Sequence, residues 1–356
     1  MTSMAVRNTF CRKVAFNTTI RGSRSISSHT EDTTNVWKLN VEDDIRYWTG
    51  YLSTRPKYTT EFYDLIYAYH DAHSNCSNLA HDVGAGPGQV SAKLAKRFKH
   101  VVVSDNNPNH VDFALYQLKS QQGHPGDSSF SFKVARGEEL GGQYASGSAD
   151  LVVCALTFPL LDTEAALRSF HTLLKPGSTL AIWFYGRAHF AEPEYASRCQ
   201  PLLDTITDHH FRRVIQADNM APATRASWKR TADGIASWLD YIPFHESDWI
   251  DVERRKWNSS WTTMGFFTNR ACGFPVEPVS RVTPREKVLE IEDPELWRKD
   301  WTVDQLKSFA NHIFPFPYID EESVRPVWKR LQWEMGGAHA KRAFSWPVAL
   351  TLASKR

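Results

Sequence analysis

The sequence predicts an α/β protein: a parallel, doubly wound sheet with a mostly helical cap inserted late in the chain. Three observations carry that expectation. From Asn78 to Tyr185, short apolar runs alternate with segments of helical period, the rhythm of repeated strand–helix–strand units. The first run leads through a glycine turn, Asp82-Val83-Gly84-Ala85-Gly86-Pro87-Gly88, straight into a helix. The alternation then stops after Arg187, and a long apolar run returns only near the end, from Phe344 to Ala353. The expected organisation is a tail over residues 1–35, a core over 36–186, a cap over 187–343 and a returning strand over 344–356.

The elements follow in order. Thr60 reads as the N-cap of a helix whose apolar face is Phe62, Leu65, Ile66 and Tyr69. Asn78 to Val83 is the first strand. Val90, Leu94 and Phe98 mark one packed face of the helix after the glycine turn. His100 to Asp105 is the second strand, Asn109 to Leu118 a helix, Gly123 to Gly126 a turn and Phe130 to Val134 the third strand. Ser148 to Leu156 is apolar almost throughout, as a strand buried on both faces must be. Asp162 caps the next helix, Lys175-Pro176-Gly177 ends it, and Ser178 to Tyr185 is the fifth strand. In the cap, Ala226 to Ile242 carries a helical face, Ile250-Asp251-Val252 alternates as a strand, and Thr302-Val303-Asp304-Gln305 is a capping box. Val324, Val327, Trp328 and Leu331 mark a last helix.

Bulk properties exclude several classes. A chain of 356 residues with 42% hydrophobic content buries a full core. A net charge of +2 with no long basic run argues against a nucleic-acid partner. No apolar run is long enough to span a membrane. The five cysteines are scattered, with no C-x-x-C pair, so neither a disulfide framework nor a metal site is expected and a reducing compartment fits. Residues 1–30 contain arginine, lysine, serine and threonine but no acid, the composition of a mitochondrial transit peptide or of an unstructured tail. The expected location is cytoplasmic, with mitochondrial targeting as the option that tail leaves open. Ten of the 13 tryptophans follow residue 186. Trp228, Trp238, Trp257, Trp261 and Trp301 are candidate walls for a flat acceptor, against the simpler reading of a Trp-rich core. The oligomeric state is not legible.

The glycine turn asks for a ligand that approaches the backbone closely. A dinucleotide loop requires G-x-G-x-x-G, and its third glycine would fall at Gln89. The actual spacing, D-x-G-x-G-x-G, resembles motif I of class I S-adenosylmethionine (SAM) methyltransferases. Asp105, ending the second strand, supplies the acid that such a site needs for the ribose. With Arg55-Pro56-Lys57-Tyr58, Glu61-Phe62-Tyr63, Ser104-Asp105 and Leu180 to Gly186, the chain resembles the trans-aconitate methyltransferase-like family, fungal secondary-metabolite members included.

The resemblance implies a Rossmann-like, seven-stranded class I methyltransferase sheet that binds SAM at the carboxyl ends of its strands. It implies that Asp82, Gly84, Gly86 and Gly88 line the methionine part, and that Asp105 holds the ribose. Asn106 would stack on the adenine, and Gly137 and Glu138 would meet its rim. Leu156 would face the methionine end, and Arg55 and Tyr58 would close over the cofactor. Two departures stand out. Arg136 replaces an acid that many members carry two residues before the position of Glu138. After the fourth strand, Phe158-Pro159-Leu160-Leu161 replaces a run containing histidine, and proline moves no proton. The substrate therefore differs from a tricarboxylic acid.

The expected function is methyl transfer from SAM to a small organic acceptor, at the oxygen of a carboxylate, phenol or enol. The alternative is a SAM-binding protein that methylates nothing. An anion clamp is sought at Arg187, which otherwise reads as a solvated surface arginine. A general base is sought among His209, His210, His245 and His312, each otherwise a surface or capping histidine.

Overall fold

The computed structural model describes residues 41–120, 129–216, 220–262, 264–313 and 321–356. The tail over 1–35 and the turn from Gly123 to Gly126 lie outside them.

The chain opens with helices α1 (Val41–Thr54) and α2 (Thr60–His73). Thr59, one residue earlier than expected, is the N-cap of α2 and accepts from the Phe62 N–H. The core then alternates β1 (Leu79–Val83), α3 (Gln89–Leu94), β2 (His100–Asp105), α4 (Pro108–Ser120) and β3 (Ser129–Val134). A 3₁₀ turn at Gly137–Gly142 leads to β4 (Ala149–Ala155), and a second at Phe158–Leu160 leads to α5 (Thr163–Leu173) and β5 (Leu174–Tyr185). Asp162 caps α5 through the Ala165 N–H. The cap contributes β6 (His189–Phe190), α6 (Pro193–Ile215), α7 (Pro222–Ala236), β7 (Trp249–Trp257), α8 (Asn269–Cys272), β8 (Lys287–Ile291) and β9 (Lys299–Trp301). It ends with α9 (Val303–Asn311), α10 (Glu321–Glu334) and β10 (Arg342–Ser345), and β11 (Val348–Lys355) closes the chain. Both halves of the predicted capping box form between Thr302 and Gln305.

The main sheet has strand order β3-β2-β1-β4-β5-β11-β7-β8. Each strand but β11 runs the same way; β11 is antiparallel to both β5 and β7. The expected Rossmann-like sheet is present, with eight strands rather than seven. The eighth, β8, pairs Lys287 to Ile291 with Glu253 to Trp257 at one edge. It buries no residue fully, so its sequence carries little of the apolar signal by which a central strand is read.

Two findings concern the cap. Beside its helices, β6, β10 and β9 form a separate three-stranded antiparallel sheet. The returning strand begins at Val348, because Phe344 and Ser345 belong to that small sheet. Asn258 joins the two layers. Its buried side chain donates to the carbonyls of Asp293 and Trp346, and its φ of 58° turns the chain out of β7. Among the tryptophans offered as pocket walls, Trp228, Trp257 and Trp301 are buried in the core, while Trp238 and Trp261 are partly exposed.

The strand order reverses between β1 and β4, which puts a crevice at the carboxyl ends of β2, β1, β4 and β5, where open α/β sheets bind ligands. Four of the residues in question stand there because these strands end there: Asp82 and Asp105 at the ends of β1 and β2, Leu156 just past β4 and Tyr185 at the end of β5.

Candidate functional site

β1 is buried along its whole length and delivers Asp82 to the base of the glycine turn. Gly84, Gly86 and Gly88 all take positive φ, of 67°, 51° and 81°. Side chains other than glycine's avoid that region. At Gly84 space is excluded too: a Cβ would stand 2.4 Å from the Thr157 side chain. Thr157 in turn donates its hydroxyl to the Gly84 carbonyl at 3.2 Å, which ties the turn to the segment after β4. Leu156, between them, holds φ at 60°, a conformation costing a non-glycine residue about 1–2 kcal/mol.

The Asp82 carboxyl accepts from Ser91 at 2.6 Å through Oδ2, while its buried Oδ1 has no partner. Burial pushes this carboxyl up to about 7, with Ser91 opposing and the nearby Asp105 charge adding to the rise. The folded protein therefore keeps a proton on Asp82 that the unfolded chain releases. The resulting stability is complete below about pH 4 and is lost as pH rises through about 7. A cationic group at Oδ1 reverses this, because it favours the carboxylate. We expect binding of a ligand with an ammonium at that point to release protons near pH 7. Calorimetry in buffers of different ionisation enthalpy measures this, and no proton release would place the ammonium elsewhere.

Asp105 is buried, and both its oxygens are engaged. Oδ2 accepts from the Gly86 N–H at 3.0 Å; Oδ1 accepts from the Asn107 N–H at 3.0 Å and from His110 Nδ1 at 3.1 Å. The turn between β1 and α3 is thus held on the end of β2. A carboxylate takes about four hydrogen bonds, so one lone pair on Oδ2 is left for a hydroxyl. Asn106 is exposed beside it. Gly137 is buried, and a Cβ there would meet Val83 at 3.0 Å and Leu161 at 3.1 Å. Glu138 accepts from the Asp162 N–H at 3.0 Å and from Arg136 at 3.2 Å through Oε1, and its Oε2 is buried without a partner.

Other sequence-based candidates are brought to different work. Arg55 is buried, donates to Tyr185 Oη at 2.9 Å and to the Ile313 carbonyl at 2.8 Å, and lies over the Tyr51 ring. It ties the end of α1 to the end of β5 and the segment after α9. Tyr58 packs edge-on against Trp183 and beside Trp297 in an aromatic core. Arg187 is neither a free clamp nor a solvated side chain. It is buried, pairs with Asp208 of α6, and donates to the Phe266 carbonyl at 2.9 Å and to Asp204 at 3.3 Å. His245 is misplaced for a base: it precedes Trp249, which pairs with Lys355 at the amino edge of the sheet, a full strand from the crevice. His312 donates its Nδ1–H to the Ser308 carbonyl at 2.7 Å and lies flush on Gly50 of α1, where a Cβ would come within 1.8 Å of its Nε2. His209 is half-buried on α6 and partnered, and burial pushes the His210 imidazole down to about 4.

Trp48 and His110 were not singled out in the sequence. Trp48 covers the glycine turn from α1, its ring edge about a van der Waals contact from where a Gly86 Cβ would be, and it stands edge-on to His110. This histidine, five residues past Asp105, is the third residue of α4 and lies in its first turn, a spacing that could have drawn attention to it.

A turn of left-handed glycines, an orphaned buried carboxyl oxygen and an acid with a lone pair to offer fit SAM: room for its chain, a partner for its ammonium, an acceptor for its ribose. With the sheet order and the antiparallel β11, they define a class I SAM-dependent methyltransferase. When bound, SAM supplies a methyl group activated by a sulfonium. A family model described as "Methyltransferase domain" matches residues 81–182. The chain is 39% identical to methyltransferase pgmE of Aspergillus terreus, over 91% of its own length and 97% of the relative's. It is 35% identical to methyltransferase cfoB of Aspergillus candidus (88% and 95% covered) and 33% identical to methyltransferase ptaI of Pestalotiopsis fici (88% and 94%). The chain belongs to the methyltransferase family that these fungal proteins represent.

Proposed function

We propose that the protein methylates the oxygen of a small organic metabolite, a carboxylate or an acidic phenol or enol. The observation that carries this reading is the turn after β4, where no side chain from Phe158 to Leu161 accepts a proton. Pro159 stands in the turn after β4, its carbonyl taken by Thr231 of α7, and Arg187, His245 and His312 are paired or misplaced. An acceptor that ionises by itself needs no general base, and positioning alone then carries much of the rate. Phe158 and Pro159 are buried and Leu160 is exposed, so the wall after β4 is apolar and suits the carbon frame of such an acceptor.

In this reading Asp82 and the three glycines hold the methionine end, Asp105 the ribose, and Gly137, Glu138 and Asn106 the adenine side. Asp105→Ala is expected to weaken S-adenosylhomocysteine binding at least about tenfold, since a charge-assisted hydrogen bond contributes about 1.5–3 kcal/mol. Unchanged affinity would remove Asp105 from the site. The acceptor is tested by incubating the protein with methyl-labelled SAM and aromatic carboxylic acids or acidic phenols. Methyl esters or ethers, formed at rates that track the acceptor's ionised fraction, support the proposal. Methyl groups on carbon or nitrogen, or a rate that at saturating SAM follows a group on the protein rather than the acceptor's ionisation, contradict it.

A further inference from the structure

The carboxylate of Asp105 is held by a side-chain relay whose proton positions can be worked out. Asn107 Oδ1 accepts from the Asn109 N–H at 3.0 Å, which fixes the orientation of the amide. Its nitrogen, Nδ2, therefore faces His110 Nε2 at 3.0 Å. An amide nitrogen only donates, so Nε2 must accept. The ring proton is then on Nδ1, and Nδ1–H donates to Asp105 Oδ1 at 3.1 Å. A doubly protonated ring would set one N–H against another. Asp105, Asn107 and His110 are all buried, and Trp48 stands edge-on to the imidazole at 4.7 Å and 85°. Two fixed donors occupy Oδ1, so the lone pair left on Oδ2 has one direction.

We infer that His110, held by Asn107 as the neutral Nδ1–H tautomer, is a positioning residue for the cofactor's ribose. It acts by fixing the rotamer of Asp105 so that Oδ2 meets a ribose hydroxyl. The inference rests on the ribose role of Asp105 proposed above. It assigns binding specificity to a residue that touches neither substrate nor cofactor.

The test uses the full chain and two ligands, S-adenosylhomocysteine and its 2′,3′-dideoxy analogue. His110→Ala is expected to weaken binding of the first about tenfold, the effect of one lost charge-assisted hydrogen bond. His110→Asn, whose amide nitrogen reaches the position of Nδ1, is expected to stay within about threefold of wild type. With the dideoxy analogue, wild type and His110→Ala are expected to agree within about twofold, since nothing remains for Oδ2 to meet. An equal loss for both ligands would make His110 a packing residue and overturn the inference, as would no loss for either. If wild type binds both ligands equally, the ribose role of Asp105 is what fails, and the relay has nothing to position. Nitrogen-15 spectra of the wild-type imidazole give a reading that needs no folded alanine variant: a proton on Nδ1 supports the relay, and a proton on Nε2 overturns it.

Discussion

Replacing Arg187 with alanine is expected to lower unfolding free energy by about 3–5 kcal/mol, the usual result of removing one partner from a buried ion pair. The guanidinium leaves three groups behind. Asp208, buried on α6, keeps only the Thr268 hydroxyl at 2.9 Å. The Phe266 carbonyl loses its donor, and Asp204 loses a contact at its partly exposed carboxylate. Arg187 lies two residues past the end of β5, so the pair also ties the cap helix α6 to the end of that strand. The double variant Arg187→Met/Asp208→Leu is expected to recover much of the loss, because an apolar pair of similar volume needs no desolvated charge. Denaturant unfolding measures both. A substrate clamp would behave differently: stability close to wild type, with KM raised for an acidic acceptor.

The second large effect is expected at Gly84. Gly84→Ala forces a side chain into a left-handed conformation, at about 1–2 kcal/mol, and into the Thr157 side chain 2.4 Å away, which overpacking data put at about 1–3 kcal/mol more. The strain falls on the turn that Asp105 and Thr157 hold in place. Displacing a positioning element by about an ångström costs about a hundredfold in rate, and turnover is expected to fall at least that far. Gly86→Ala is the control. Its φ is also positive, but the nearest atom to its Cβ, on Trp48, is 3.4 Å away. It carries the backbone cost without the collision, so its loss in turnover is expected to be clearly smaller. Equal losses for the two variants would mean that Thr157 does not brace the turn.

What the sequence made legible depended on how local the signal was. The glycine turn, β1 to β5, the Asp162 cap and the Thr302–Gln305 box are each specified by residues within a few positions of one another, and all are present. The two acids of the candidate site stood out for the same reason, as each lies at the end of an apolar strand or one residue before it. α6 was not read at all, although it is 23 residues long. Its buried positions, among them Cys199, Leu203, Ile206, Thr207 and Asp208, mix apolar with polar, and Pro201 interrupts the pattern. The small sheet escaped because its strands have two to four residues, too few to show a period. Arg187 was misjudged for a different reason. Its partner lies 21 residues on, across a helix turn and a change of direction, and no spacing rule reaches that far. His110 shows the same limit: the bond to Asp105 is local, but the orientation of its ring depends on Asn109 fixing the Asn107 amide.

The turn from Asp82 to Gly88, closed by Asp105, is proposed as the SAM site. Calorimetric titration of the full-length protein with S-adenosylhomocysteine, and separately with NAD, tests it most directly. Saturable binding of S-adenosylhomocysteine at one site per chain, weakened by Asp105→Ala, is expected, with no binding of NAD. A folded protein that ignores S-adenosylhomocysteine, or that binds NAD in its place, would contradict it.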